Sequence, residues 1–124
     1  MSEKQIDERA PGTTTIAPGV LLTIARLTAL AVPGVAGMAP IPGGVNRLFR
    51  RGTGDGVRIE VEGVRVSADL YLTLNHDVSV KEVSRQVQQE VARAIEDMVG
   101  MQVQRVDVHI EDIAFPDGEQ GGHG

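Results

Sequence analysis

Three polar residues near the C-terminal end have types and a spacing that could hold a metal ion. Asp107, His109 and Glu111 alternate along one segment, so on a β-strand they would lie on the same face. Two carboxylates and an imidazole form a ligand set that several divalent metals accept. The same alternation is also typical of a solvated strand face, and we favour that interpretation. We therefore expect no metal site and no cofactor.

The other candidates for catalysis lack the partners that their chemistry needs. His76 and Asp77 lie between a predicted strand and a predicted helix, where polar residues are common, and they do not make a persuasive acid–base pair. Gly52, Gly54 and Gly56 precede a strand, whereas a phosphate-binding loop follows a strand and opens a helix. The chain has no cysteine, which excludes thiol nucleophiles and cysteine-ligated metals. We predict that the protein is not an enzyme.

The basic residues cluster at one place in the chain. Arg47, Arg50 and Arg51 lie in a long segment rich in glycine and proline. Together with an open polar sheet they could bind single-stranded nucleic acid, as a K-homology-like module does. The net charge of −5 and the presence of a single aromatic residue, Tyr71, on the predicted polar sheet face argue against this function. Binding of single-stranded nucleic acid is therefore the alternative function and not the preferred one.

The elements that position these residues begin with two helices. The first opens at Pro18, which suits a first helical position, and it ends before Pro33. The second opens at Ser79, which can form a capping box with Glu82, and it ends at Gly100. Both helices carry enough aliphatic residues to cover one face of a sheet.

Alternating apolar and polar residues predict three strands. The first two form a hairpin over residues 57–75 with a turn centred on Glu62-Gly63, and the third follows the second helix. The predicted fold class is α+β: a two-layer sandwich in the order helix–strand–strand–helix–strand, with a three-stranded mixed sheet and both helices on one face. Residues 15–115 would form this single domain, and residues 1–14 and 116–124 would be disordered tails.

The first helix is apolar on more than one side. Its predicted core stripe has the i, i+4, i+7 spacing and consists of Val20, Ile24, Leu27 and Ala31. Three more apolar residues lie away from that stripe: Leu22, Ala29 and Leu30. An apolar surface left over on a helix usually marks a contact with another chain. We predict that these three residues bind a partner, with the arginine cluster at the rim of the surface.

Several stretches of the chain follow a pattern known from bacterial proteins. They are PGVAGM after the first helix, ADLYL in the second strand, and VQQEV, IEDMVGMQV and VDVHIEDI in the last helix and strand. With these stretches in this order, residues 16–115 resemble the alkaline shock protein family of envelope stress response proteins. The resemblance implies an abundant cytoplasmic protein without known catalytic residues. It also implies a protein that associates with itself and that, in some members, is tethered beneath the membrane by a membrane-anchored relative.

The apolar segments of the chain bear on its location. The first nine residues alternate in charge without the apolar run of a secretory signal, and the apolar segment at residues 20–32 is too short to span a bilayer. We expect no direct insertion into the membrane. The protein is predicted to be cytoplasmic and to reach the inner face of the cell membrane through a partner protein.

Overall fold

The computed structural model describes residues 11–43, 53–54 and 56–116. The helices and strands in these ranges follow one another as α1 (Pro18–Ala31), β1 (Val35–Met38), β2 (Thr53–Gly54), β3 (Val57–Glu62), β4 (Arg65–Asn75), α2 (Val80–Val99) and β5 (Gln102–Ala114). The fold is α+β, which confirms the predicted class.

β4 is the central strand of the sheet. Along one side it pairs in parallel with β5 over its whole length, from Arg65 opposite Gln102 to Asn75 opposite Ala114. Along the other side it pairs antiparallel with β3 and, beyond the start of β3, with β1. The sheet is mixed, as predicted, but in the described ranges it has five strands and not three. The two additional strands, β1 and β2, have four and two residues, which is too short for alternation to reveal them.

The β3–β4 hairpin turns at Gly63-Val64, so the prediction of a turn centred on Glu62-Gly63 is wrong. Glu62 pairs directly with Arg65, which leaves Gly63 and Val64 as the two turn residues. Gly63 has a φ of 64°, as the first central residue of a type II′ turn does. Val64 is 67% exposed because it lies in the turn.

The hydrophobic core lies between the sheet and both helices. Its fully buried large side chains from β3, β4 and α2 are Val57, Val66, Leu70, Leu72, Leu74, Val87, Val91 and Ile95. The side chain of Ser79 accepts a hydrogen bond from the Glu82 amide at 3.2 Å, and Gly100 ends α2 with a φ of 79°. These contacts confirm the predicted ends of α2. Both helices contribute to one core cluster, so they cover the same face of the sheet.

α1 turns a different side toward the core from the one predicted. Its buried residues are Leu21, Ala25 and Ala29, at i, i+4 and i+8, and Val32 continues the same stripe. The predicted stripe that includes Val20 and Leu27 is therefore wrong. The helix is apolar nearly all round, so two different stripes have the spacing of a core face. The small alanine side chains let the buried stripe lie close to its neighbours.

Candidate functional site

The side of α1 opposite its buried stripe carries exposed apolar residues. We call this the α1 face and define it by Val20, Leu27, Leu30 and Ala31. At 100° per residue these four fall in one arc of the helix. Val20 is 46% exposed, Leu27 is 54% exposed and Leu30 is 37% exposed. Aliphatic side chains so exposed and so close together form a surface suited to contact with another chain.

The structure separates the residues that were predicted to bind a partner. Leu30 lies on the α1 face, whereas Leu22 is half-buried against the core. Ala29 is fully buried, so its assignment to an exposed surface is wrong. The reason is that α1 turns a different side toward the core from the one predicted. Ala29 is therefore buried, and Leu27 is exposed. Arg47, Arg50 and Arg51 lie outside the described residues, and their place at the rim of the surface stays a prediction.

The face of the sheet that points away from the helices carries a charged network centred on Asp69. Its carboxylate oxygens lie 3.7 Å from Nε of Arg58, 3.6 Å from Nη1 of Arg105 and 3.1 Å from Nε2 of His109. Arg105 also pairs with Asp107. The Asp69 side chain is only 15% exposed, so these contacts are partly shielded from solvent. The charged groups of this network compensate one another.

Tyr71 lies beside this network and is itself enclosed. Its ring stacks on the imidazole of His109, with centroids 4.5 Å apart and planes inclined by 12°. Its hydroxyl oxygen accepts a hydrogen bond from Nη2 of Arg58 at 3.2 Å. The residue is only 7% exposed. A ring held in this way does not offer the open stacking platform that nucleobases need.

A groove of 790 Å³ runs along the polar face beside the network. The charged residues that line it are of both signs: Arg58, Arg65, Arg105, Glu60, Glu62 and Asp69. A phosphate backbone is bound by clustered positive charge, and the acidic side chains oppose such a potential. The groove therefore does not favour a nucleic-acid ligand.

The three residues with metal-ligand types do not come together. Asp107 and His109 share the polar face, and their side chains contact Arg105 and Asp69 respectively. Glu111 lies in a bulge, because β5 skips one residue between the partners of Leu72 and Thr73. Within the part of the chain that the structure describes, no three His, Cys, Asp or Glu side chains are placed to hold a metal ion.

Neither described helix is long and apolar enough to cross a membrane.

Residues 6–115 match the model of the alkaline shock protein 23 family, which is described by a cell envelope-related function. The chain belongs to the alkaline shock protein family. This match covers the segment in which the resemblance to that family was found, and it confirms the resemblance.

Relatives of this alkaline shock family chain occur in Bacillus subtilis and Streptococcus pyogenes. The uncharacterized protein YqhY of B. subtilis (strain 168) is 29% identical in an alignment of 106 positions that covers 84% of this chain and 78% of YqhY. The uncharacterized protein Spy1614 of S. pyogenes is 26% identical in an alignment of 106 positions that covers 82% of this chain and 88% of Spy1614. Among solved structures, MamM-CTD 215-293 gives a TM-score of 0.48 at 16% identity, over 76% of this chain and 96% of the other.

Proposed function

We propose that this protein is a non-enzymatic scaffold of the envelope stress response. In this function it associates with itself and docks on a membrane-anchored partner protein at the cytoplasmic side of the cell membrane. The α1 face is the observation that carries the proposal, because it combines Val20, Leu27 and Leu30 on one exposed side of a helix. The cell envelope-related function of the alkaline shock protein family supports the place of action.

The physical case for docking rests on the apolar area of the α1 face. Each square ångström of apolar surface removed from water contributes about 25 cal/mol, so covering several leucine and valine side chains favours association. Monomeric proteins rarely leave large continuous apolar patches uncovered. A partner with an apolar groove would receive the face in the way that grooves receive amphipathic helices.

The polar side of the sheet supports a function without catalysis. The carboxylate of Asp69 and the imidazole of His109 contact each other, and Tyr71 stacks on that imidazole. A general acid or base needs to point into a cavity where it can reach a substrate. Asp69 lines the groove, but its carboxylate oxygens already contact Arg58, Arg105 and His109.

The double variant Leu27→Glu with Leu30→Glu tests the docking surface. Both side chains are exposed, so we expect the variant to remain folded while its binding to native membrane vesicles weakens by at least about tenfold, because two charges would be buried at the contact. Co-sedimentation with the vesicles measures the binding, and circular dichroism verifies the fold. Vesicles treated with protease before the assay should lose the binding of the parent protein, since the proposed partner is a protein.

A matched control places two glutamates on other exposed apolar residues. Val64 and Met98 are 67% and 69% exposed and lie outside the α1 face. The variant Val64→Glu with Met98→Glu should bind the vesicles as the parent does. If the α1 variant is folded and also binds as the parent does, the docking surface lies elsewhere, and the polar sheet face is the next place to test.

Binding of single-stranded nucleic acid, the alternative function, has its own test. Three arginine contacts to phosphates would weaken binding by about twentyfold between about 50 and 200 mM salt. We expect no such salt-sensitive binding, because the acidic residues among the mixed charges that line the groove and the enclosed ring of Tyr71 disfavour it. Fluorescence polarisation of a labelled single-stranded oligonucleotide measures it. Tight binding with this salt dependence would replace the scaffold proposal.

A further inference from the structure

The edge of β5 that faces away from β4 has no strand beside it among the described residues. At the two ends of β5, the amide of Gln102 donates to the Val64 carbonyl and the carbonyl of Ala114 accepts from the His76 amide. These two residues therefore direct backbone groups toward the β4 side. Because successive residues of a strand direct their backbone groups to opposite sides, the alternate residues direct theirs to the outer edge.

Two bulges divide this edge and leave a regular segment between them. They lie at Gln104 and Glu111, where the pairing with β4 skips one residue of β5. The alternation of inward-facing and outward-facing residues can be followed from Gln102 across the first bulge or from Ala114 across the second. Both ends give the same outward-facing residues. Val106, Val108 and Ile110 are the residues whose amide and carbonyl groups face outward.

Two side-chain hydrogen bonds agree with this direction. Nε2 of Gln88 donates to the Val106 carbonyl at 3.1 Å, and the amide of Ile113 donates to Oδ1 of Asp112 at 2.8 Å. Side chains that reach backbone groups of a paired strand do so at its outer edge. A carbonyl oxygen has two lone pairs, so Val106 can still accept a bond from another strand.

The charged residues of this edge are self-complementary about Val108. When two copies of the segment lie antiparallel with Val108 opposite itself, Asp107 of one copy lies opposite His109 of the other. In the same register Arg105 lies opposite Glu111. Each pair occurs twice because the arrangement has two-fold symmetry. Arg105 and Glu111 carry unlike charges, and directly opposed unlike charges stabilise an antiparallel pair.

The apolar residues select the same register. With Val108 opposite itself, Val106 lies opposite Ile110, so apolar side chains meet on the helix side of both sheets. A register centred on Asp107 would oppose that carboxylate to itself. A register centred on His109 would oppose Asp107 to Glu111. Both neighbouring registers that keep the two faces matched therefore bring like charges together.

We propose that the outer edge of β5 joins two copies of this chain antiparallel, centred on Val108, so that the sheet continues from one copy into the other. The inference rests on the self-association in the proposed function, and it names the surface and the register. About six backbone hydrogen bonds form, two in each of the outward-facing pairs. Val108 and Ile110 are only half-buried in the single chain, and the second copy covers them.

The β5 edge and the α1 face lie on different parts of the molecule. α1 packs over β1 and β3, whereas α2 packs over β5 on the other side of the central strand. A dimer joined through β5 therefore leaves both α1 faces uncovered. Two α1 faces on one particle strengthen attachment to partners in a membrane by raising the effective concentration of the second contact.

Charge reversal across the edge tests the proposal on the full chain. In Glu111→Arg the introduced charge meets Arg105 of the other copy, so we expect the dissociation constant of the dimer to rise about tenfold. In Arg105→Glu like charges of the other sign meet, and self-association should weaken similarly. Because this variant also loses the contacts of Arg105 with Asp69 and Asp107, circular dichroism verifies its fold. An equimolar mixture of the two variants restores both unlike pairs, and it should associate as tightly as the parent. Sedimentation velocity over a concentration series measures each dissociation constant.

Glu96→Arg is the matched control, because Glu96 is exposed on α2 and the change in charge is the same. It should self-associate as the parent does. If Glu111→Arg behaves like this control, or if the mixture associates no better than its components, the β5 edge does not form the dimer, although self-association itself stands. A parent chain that remains monomeric at all concentrations overturns both the edge contact and the self-association in the proposed function.

Discussion

The Val91→Asp variant is expected to lose about 3 to 5 kcal/mol of unfolding free energy, because the substitution buries a carboxylate without a partner. Val91 lies in the middle of α2, with no solvent exposure, in the core between the helices and the sheet. The core of the described residues contains no buried polar or charged side chain that could pair with the new carboxylate. Urea unfolding followed by circular dichroism measures the loss.

Val80→Asp is the control for this substitution, because it makes the same change at an exposed position of the same helix. Val80 is 44% exposed and begins α2, where the partial positive charge of the helix end favours a carboxylate. The unfolding free energy of this variant should differ from the parent value by less than about 0.5 kcal/mol. Equal stability of the Val80 and Val91 variants would mean that α2 turns another side to the sheet.

The sequence predicts correctly those elements whose apolar residues fall on only one side of the helix or strand. In α2 the apolar residues form one arc and the charged residues another, so Val83, Val87 and Val91 can only face the sheet. In β4 the strict alternation puts Leu70 and Leu72 on the covered face. The capping of α2 by Ser79 depends only on residues that are close in the sequence, so it too was predicted correctly.

α1 was predicted with the wrong side toward the core because two of its sides carry apolar residues at helical spacing. The stripe through Leu21, Ala25 and Ala29 and the stripe through Val20 and Leu27 are both apolar. The choice between them depends on how closely the helix lies on its neighbours, which is a property of the assembled layers. α1 does keep an exposed apolar side, but that side holds Val20 and Leu27, which were predicted to face the core.

The polar network and the additional strands depend on long-range pairing. Asp69 meets Arg105 and His109 only because β4 and β5 are parallel in one particular register, which no local pattern specifies. β1 forms because β4 has 11 residues and β3 has only 6, which leaves the end of β4 open to a second neighbour. A four-residue strand with a glycine and an alanine carries too weak a signal to be predicted.

Gly56 lies where β1 and β3 meet along β4. The amide of Tyr71 donates to the Gly56 carbonyl at 2.8 Å, and the Tyr71 carbonyl accepts from the Ala39 amide at 2.8 Å. A Cβ atom on Gly56 would lie 2.8 Å from the Ala39 carbonyl oxygen, 2.9 Å from Cβ of Met38 and 3.0 Å from the Tyr71 carbonyl oxygen. Backbone atoms on both sides leave this Cβ no room, so a larger residue must push the strands apart.

Gly56→Ala is therefore expected to lower the unfolding free energy by about 3 kcal/mol, from backbone strain and from the collision of the new Cβ with the strands. Gly63→Ala separates the two causes. The φ values are similar, 72° for Gly56 and 64° for Gly63, but a Cβ on Gly63 meets nothing within 4 Å. That control should lose only about 1 kcal/mol, the cost of the positive φ alone. Urea unfolding of both variants measures the difference. Equal losses would show that a Cβ atom on Gly56 has room between β1 and β3.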